Sequence, residues 1–259
     1  MTGVTLGRVM IEVDGEGPTV LFVHGLGGTS NSFQALLGAL SGFRCVRPDL
    51  PGSGRSPTPF GKLTMDGFVE TVGEIIRVIG TAPVHLIGHS MGATVCQHVA
   101  VKMPEWVTSL TLFGPIHEVS DAARQRLKDR ARAARQDGMI GIADAAVAGG
   151  LSSATRTTVP LVVPFLRESH MRQDAEGFAQ SCEALAEAQG ADLRLVRCPT
   201  LLITGDEDTV APPSAARAIA DKIKGATLKV LERCGHWTPV ERPQDCARLL
   251  SEHVRAGLG

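Results

Sequence analysis

Short apolar runs alternate along the chain with segments whose apolar residues return every three or four positions. The runs Val20–Val23, Arg44–Pro48, Val84–Ile87, Ser109–Phe113, Leu201–Thr204 and Leu228–Leu231 are compact enough to be strands covered on both faces. Between them Phe68, Val72, Ile75, Ile76 and Ile79 recur at the helical period. Ala216, Ile219, Ala220 and Ile223 do the same, as do Cys246, Leu249, Leu250 and Val254. The opening stretch Val4–Val13, followed by Asp14-Gly15-Glu16-Gly17, predicts one strand and a turn at an antiparallel edge. Strand–helix alternation of this kind demands an α/β fold, with a mostly parallel sheet flanked by crossover helices.

The alternation stops after Phe113 and resumes at Pro199. Residues 115–190 are mostly helical in pattern and are predicted to form a cap inserted into a core made of residues 1–114 and 191–259. Its first helix, from about Ser120 to Arg135, carries Arg124, Arg126, Lys128, Arg130, Arg132 and Arg135 around a thin stripe of Leu127, Ala131 and Ala134. That charge run reads as a solvated lid surface, with anion steering as the alternative. A later stripe of Phe178, Cys182 and Leu185 reads as packing.

The chain has 259 residues, with 26 Lys and Arg against 27 Asp and Glu, for a net charge of -1. A balance this near zero leaves no basic footprint for nucleic acid or an anionic membrane. No apolar run approaches the roughly 20 residues that cross a bilayer, and the first ten residues lack a signal-peptide pattern, so a cytoplasmic protein is expected. The six cysteines are scattered without a C-x-x-C pair, which predicts reduced, mostly buried thiols and no structural metal.

Chemistry concentrates in a few short motifs. Val84–Ala93 reads as a strand, then Gly88-His89-Ser90-Met91-Gly92, then a helix through Val95, Val99 and Met103. Here G-x-S-x-G stands where a tight strand-to-helix turn would expose Ser90 as a nucleophile, with glycines giving the turn room. A serine hydroxyl needs a base, and the base needs a group that orients it. Downstream, Leu201–Thr204 leads into Gly205-Asp206-Glu207-Asp208-Thr209-Val210-Ala211-Pro212, and the last strand leads into Gly235-His236-Trp237. Strand ends of this type assemble sites, so His236 is the expected base and Asp208 its partner. Asp206 and Glu207 compete for the acid role, Asp206 being expected to hold nearby backbone amides instead. The oxyanion donors are expected to be the amides of Met91 and of Leu26, the latter in the glycine-rich loop His24-Gly25-Leu26-Gly27-Gly28. His24 and His89 read as structural residues of the site wall, and His98 and His253 as packing or surface.

These motifs, with Asp49-Leu50-Pro51-Gly52-Ser53-Gly54-Arg55-Ser56, resemble the α/β-hydrolase superfamily over the whole chain. Through Gly177–Leu185 and Ala191–Arg194 the chain most resembles the 3-oxoadipate enol-lactonase and small carboxylesterase group, departing from it at Ala93 and at Leu50-Pro51. The resemblance implies a cofactor-independent serine hydrolase of a small ester or lactone, with water as co-substrate and no nucleic-acid or membrane partner. A substrate carboxylate would need a cation, and the candidates are Arg132, Arg135, Arg167 and Arg172, with His117 and His170 as neutral donors. Gly25, His89 and Trp237 complete the expected substrate contacts. Carbon–carbon bond hydrolysis or perhydrolysis on the same triad, and a non-catalytic ligand-binding role, are the alternatives.

Overall fold

The structure, a computed structural model, describes residues 2–80 and 82–257. Its strands are β1 (Thr2–Leu6), β2 (Val9–Asp14), β3 (Thr19–Val23), β4 (Arg44–Pro48), β5 (Val84–His89), β6 (Val107–Phe113), β7 (Thr200–Gly205) and β8 (Thr227–Leu231). They form one sheet in the order β1-β2-β4-β3-β5-β6-β7-β8. β2 runs opposite to the other seven of these strands, so its pairs with β1 and β4 are antiparallel and the remaining pairs parallel. The fold is thus the expected mostly parallel α/β sheet flanked by helices.

Two details depart from the sequence pattern. The opening stretch is a hairpin, not one strand: Leu6 pairs with Val9 across Gly7 and Arg8, and Gly7 takes φ +55°, a conformation that glycine adopts without strain. The last strand is not covered on both faces. β8 is the sheet edge beyond β7, so Val230 stays 42% exposed and Thr227 and Lys229 face solvent, whereas every residue of β3, β5 and β7 is buried.

Alternating residues of the inner strands feed two cores, as the period of two requires. Leu21, Val23, Leu86, Leu110, Leu112 and Leu202 join α1 (Met65–Ile79) and α2 (Met91–Lys102) on one face. Val20, Phe22, Ile87, Phe113, Leu201 and Ile203 join the 3-10 segment Ser30–Ala39 and α10 (Pro243–Ala256) on the other. The α1 boundaries follow from chemistry. Thr64 caps its start by accepting from the Gly67 amide at 3.0 Å, and Gly80 ends it in the left-handed conformation. All six cysteines are free thiols, and all but the half-buried Cys198 are buried. Among the described residues no helix is long and apolar enough to cross a membrane.

Between β6 and β7 the chain runs through α3 (Asp121–Asp137), α4 (Ile140–Gly150), α5 (Ser153–Thr158), α6 (Val162–Met171) and α7 (Ala175–Glu187). Ser120 and Asp174 cap α3 and α7 through the amides of Ala123 and Gly177. Leu127, Ala131 and Ala134 of α3 share one apolar cluster with Phe178, Cys182 and Leu185 of α7, as their spacing predicts. Two polar clamps reinforce that pairing. The Arg124 guanidinium donates to the carbonyls of Ala186 and Ala188, and Arg135 pairs with Glu176 and Glu183.

Candidate active site

β5 delivers Ser90 into a turn that the main chain tolerates only under constraint: Ser90 has φ +54° and ψ −118°, and its amide donates to the Phe113 carbonyl at 3.0 Å. The flanking residues must be small. A Cβ at Gly92 would lie 2.0 Å from the Val23 carbonyl oxygen, and one at Gly88 would lie 2.6 Å from that of Gly92.

The loop after β8 brings His236 over this turn, with Nε2 2.9 Å from Ser90 Oγ. On its far side Nδ1 lies 2.8 Å from Asp208 Oδ2. Asp208 is 3% exposed, and its other oxygen accepts from the amides of Val210 at 2.8 Å and Ala211 at 2.7 Å. Burial pushes this carboxyl up, but the His236 charge, the His236 hydrogen bond and the two amides together outweigh it and hold the group below its ordinary value. An ionised Asp208 fixes the proton of His236 on Nδ1, leaving the Nε2 lone pair aimed at the serine hydroxyl. The competing carboxylates do other work. Asp206 accepts from the Cys234 amide at 3.1 Å and Glu207 from the Ser153 amide at 2.9 Å.

Beside Ser90 lie the two expected oxyanion donors. Met91 opens α2, and Leu26 lines the cavity above the serine; among the described residues neither amide has a hydrogen-bond partner. The loop that carries Leu26 is held from behind. His24 Nδ1 donates to the Gly25 carbonyl at 2.9 Å, and its Nε2 accepts from the Leu50 amide at 2.9 Å, a neutral tautomer that burial favours. Asp49 accepts from the Ser30 amide at 2.7 Å and from Arg55 Nε at 2.7 Å. From α6, the Ser169 hydroxyl donates to the Gly27 carbonyl at 2.7 Å.

Over Ser90 opens a cavity of about 800 Å³ whose floor is Ser90, His236 and Leu26 and whose walls include Ile116, Val119, Leu127, Leu185, His170 and Trp237. Of the predicted substrate contacts, His170 and Trp237 line it. His170 is buried, which holds it at about 4; its Nδ1 donates to the Leu166 carbonyl, so Nε2 is an acceptor. Gly25 packs against Ser90, where a Cβ would lie 2.8 Å from the serine's own. His89 lies behind His236 instead: its ring packs at a tilt against those of His236 and Trp237, and its Nε2 donates to the His236 carbonyl at 2.9 Å. His117 turns aside to Gln97 and Glu118.

The four arginines predicted to meet a substrate carboxylate are not on the cavity wall. Arg132 pairs with Asp129, Arg135 with Glu176 and Glu183, Arg167 with Asp144 and Arg172 with Glu168, each on the surface where both charges are solvated. The cations that line the cavity are Arg126 and Arg130. Arg130 lies over the Phe178 ring, 5.7 Å from its centroid, and its Nε is buried without a hydrogen-bond partner among the described residues. The signal was present in the charge run, since Arg126, Arg130 and the lining residues Ala123 and Leu127 sit three and four apart on one helix face.

The chain matches the alpha/beta hydrolase family model over residues 20–249. It is 28% identical to 3-oxoadipate enol-lactonase 2 of Acinetobacter baylyi over 229 residues, which cover 88% of this chain and 85% of that one. It is 27% identical to 2-hydroxymuconate semialdehyde hydrolase of Pseudomonas putida, with 95% and 90% covered. The solved structure of a thermophilic esterase from Thermogutta terrifontis, with malate bound, superposes with a TM-score of 0.91 at 27% identity over 96% of this chain and 93% of that one. The sheet order, the constrained serine turn and a family match that spans nearly the whole chain agree, and the chain belongs to the alpha/beta hydrolase family.

Proposed function

We propose that this chain is a serine hydrolase of small carboxylic esters or lactones whose substrate carries a free carboxylate. The observation that carries the hydrolase reading is the unbroken line of hydrogen bonds from Asp208 through His236 to Ser90 Oγ, at 2.8 and 2.9 Å, on the cavity floor. In this reading His236 takes the hydroxyl proton as Ser90 attacks the carbonyl carbon, and Asp208 offsets the imidazolium charge. The amides of Leu26 and Met91 hold the oxyanion, aided by the positive end of α2. His236 then protonates the leaving oxygen, and afterwards takes a proton from the water that releases the acid.

The substrate's charge follows from Arg130. The Arg130 guanidinium lies on an otherwise largely apolar wall and has no carboxylate partner among the described residues, which favours an anionic group on the substrate. Glu118 lines the same cavity but lies 70% exposed, within reach of His117 and Lys222, so it does not neutralise Arg130. The relative named for an oxoadipate enol-lactone and the esterase with malate bound are in keeping with a carboxylate. Residues 115–190 then act as a cap over the core of 1–114 and 191–259, and their α3 face sets substrate size and charge.

Hydrolysis of 4-nitrophenyl butyrate by Ser90→Ala tests the serine. Removing the nucleophile is expected to cost at least roughly a thousandfold in kcat, with the fold intact by circular dichroism. Residual activity above about one tenth of wild type would refute a serine mechanism.

A further inference from the structure

Five residues beyond His236, in the short helix α9 (Thr238–Glu241), lies Glu241, a carboxylate only 4% exposed. It has no lysine or arginine partner among the described residues. Its oxygens are instead filled by uncharged donors. Oε2 accepts from the Ser152 amide at 2.8 Å, the Thr155 hydroxyl at 2.8 Å and the Gly235 amide at 3.0 Å. Oε1 accepts from the Trp237 amide at 3.0 Å. Gly235 and Trp237 are the two neighbours of His236, whereas Ser152 and Thr155 belong to the start of α5 in the insertion. The His236 amide itself donates to the Gly150 carbonyl at 2.8 Å, two residues before Ser152. The junction has no slack: a Cβ at Gly235 would lie 2.5 Å from that carbonyl oxygen and 2.9 Å from Glu241 Oε1.

The peptide groups on either side of His236 set the direction of its Cα–Cβ bond, and so where Nε2 meets Ser90 Oγ. Fixing both amides to one carboxylate fixes that direction, and a misplacement of about 1 Å at such a site costs on the order of a hundredfold in rate. We propose that Glu241 is a positioning residue that registers His236 against Ser90 and ties that register to the seating of the insertion. This role rests on the serine-hydrolase reading above. Substrate binding that seats the insertion also holds the base in place, because one carboxylate serves both.

Glu241→Gln is the test, since it keeps size but replaces one acceptor oxygen with a donor. Turned one way the new NH2 faces Ser152, Thr155 and Gly235; turned the other it faces Trp237. In protein shown to be folded by circular dichroism, kcat for 4-nitrophenyl butyrate is expected to fall about ten- to a hundredfold with KM changed less than about threefold. The far-downfield proton resonance of the Nδ1–H between His236 and Asp208, assigned by its loss in His236→Ala, should broaden or shift. A folded variant with kcat within about threefold of wild type and an unchanged resonance would overturn the role. If Glu241→Gln does not fold, Thr155→Val decides: it removes one insertion donor and leaves the Gly235 and Trp237 bonds. A drop in kcat beyond about threefold at constant KM supports the proposal, and none overturns it. Should Ser90→Ala retain activity, it is the serine reading that fails, while the resonance still reports whether Glu241 holds His236.

Discussion

Asp208→Asn should inactivate the protein for a reason that can be read atom by atom. Oδ1 of Asp208 accepts from two backbone amides, Val210 at 2.8 Å and Ala211 at 2.7 Å, so an asparagine there keeps its carbonyl oxygen in that position. Its NH2 must then replace Oδ2, 2.8 Å from His236 Nδ1. A donor in that place makes Nδ1 the acceptor and moves the ring proton to Nε2, which faces Ser90 Oγ at 2.9 Å and can no longer take a proton from it. The loss also removes the charge that offsets the imidazolium. Together these are expected to lower kcat by about a thousand- to ten-thousandfold, roughly 4 to 5.5 kcal/mol, with KM little changed. Asp206→Asn is the control, because asparagine keeps an acceptor for the Cys234 amide and activity should stay within about threefold. Steady-state assays of both variants with 4-nitrophenyl butyrate decide the matter. Equal losses, or a larger loss at Asp206, would refute the assignment of the acid.

Two further outcomes follow from the cavity and its histidines. Arg130→Met keeps an apolar stem over Phe178 and drops the charge; it should raise KM for 4-nitrophenyl hydrogen succinate about tenfold or more, some 1.4 kcal/mol, while leaving the neutral butyrate ester within about twofold. Equal effects on both esters, or an equal shift in Arg132→Ala, would dismiss Arg130 as the carboxylate contact. Burial holds His89 at about 3 and His170 at about 4, so both are neutral in the folded chain, whereas unfolded they titrate near 6.5. The unfolded state therefore takes up more protons between about pH 6.5 and 4, and each histidine should cost up to about 2 kcal/mol of stability between pH 7 and pH 5. Urea unfolding at the two pH values measures this, and equal stability at both would refute it.

Much of the machine was legible because its chemistry is local. A strand, a turn and a helix lie in contiguous residues around Ser90, and the steric demand on Gly88 and Gly92 acts within that same turn. Asp208 and His236 each follow a strand, and a parallel sheet gathers such strand ends on one side whatever the distance along the chain. The hairpin of β1 and β2 was hidden because Gly7 and Arg8 interrupt an apolar run by only two residues. The cations were the larger gap. Arg130 and Arg132 differ by about 200° around a helix, and a stripe as thin as Leu127, Ala131 and Ala134 shows which side is buried without showing what faces the other sides. Only the packing of α3 on α7 commits Arg124 and Arg135 to that helix and turns Arg130 toward Ser90's cavity. Glu241 was invisible for the same reason, since two of its donors lie 89 and 86 residues away. Local sequence thus set where Ser90, His236, Asp208 and the Leu26 loop stand, whereas the direction of each α3 side chain came from long-range packing, which no local period encodes.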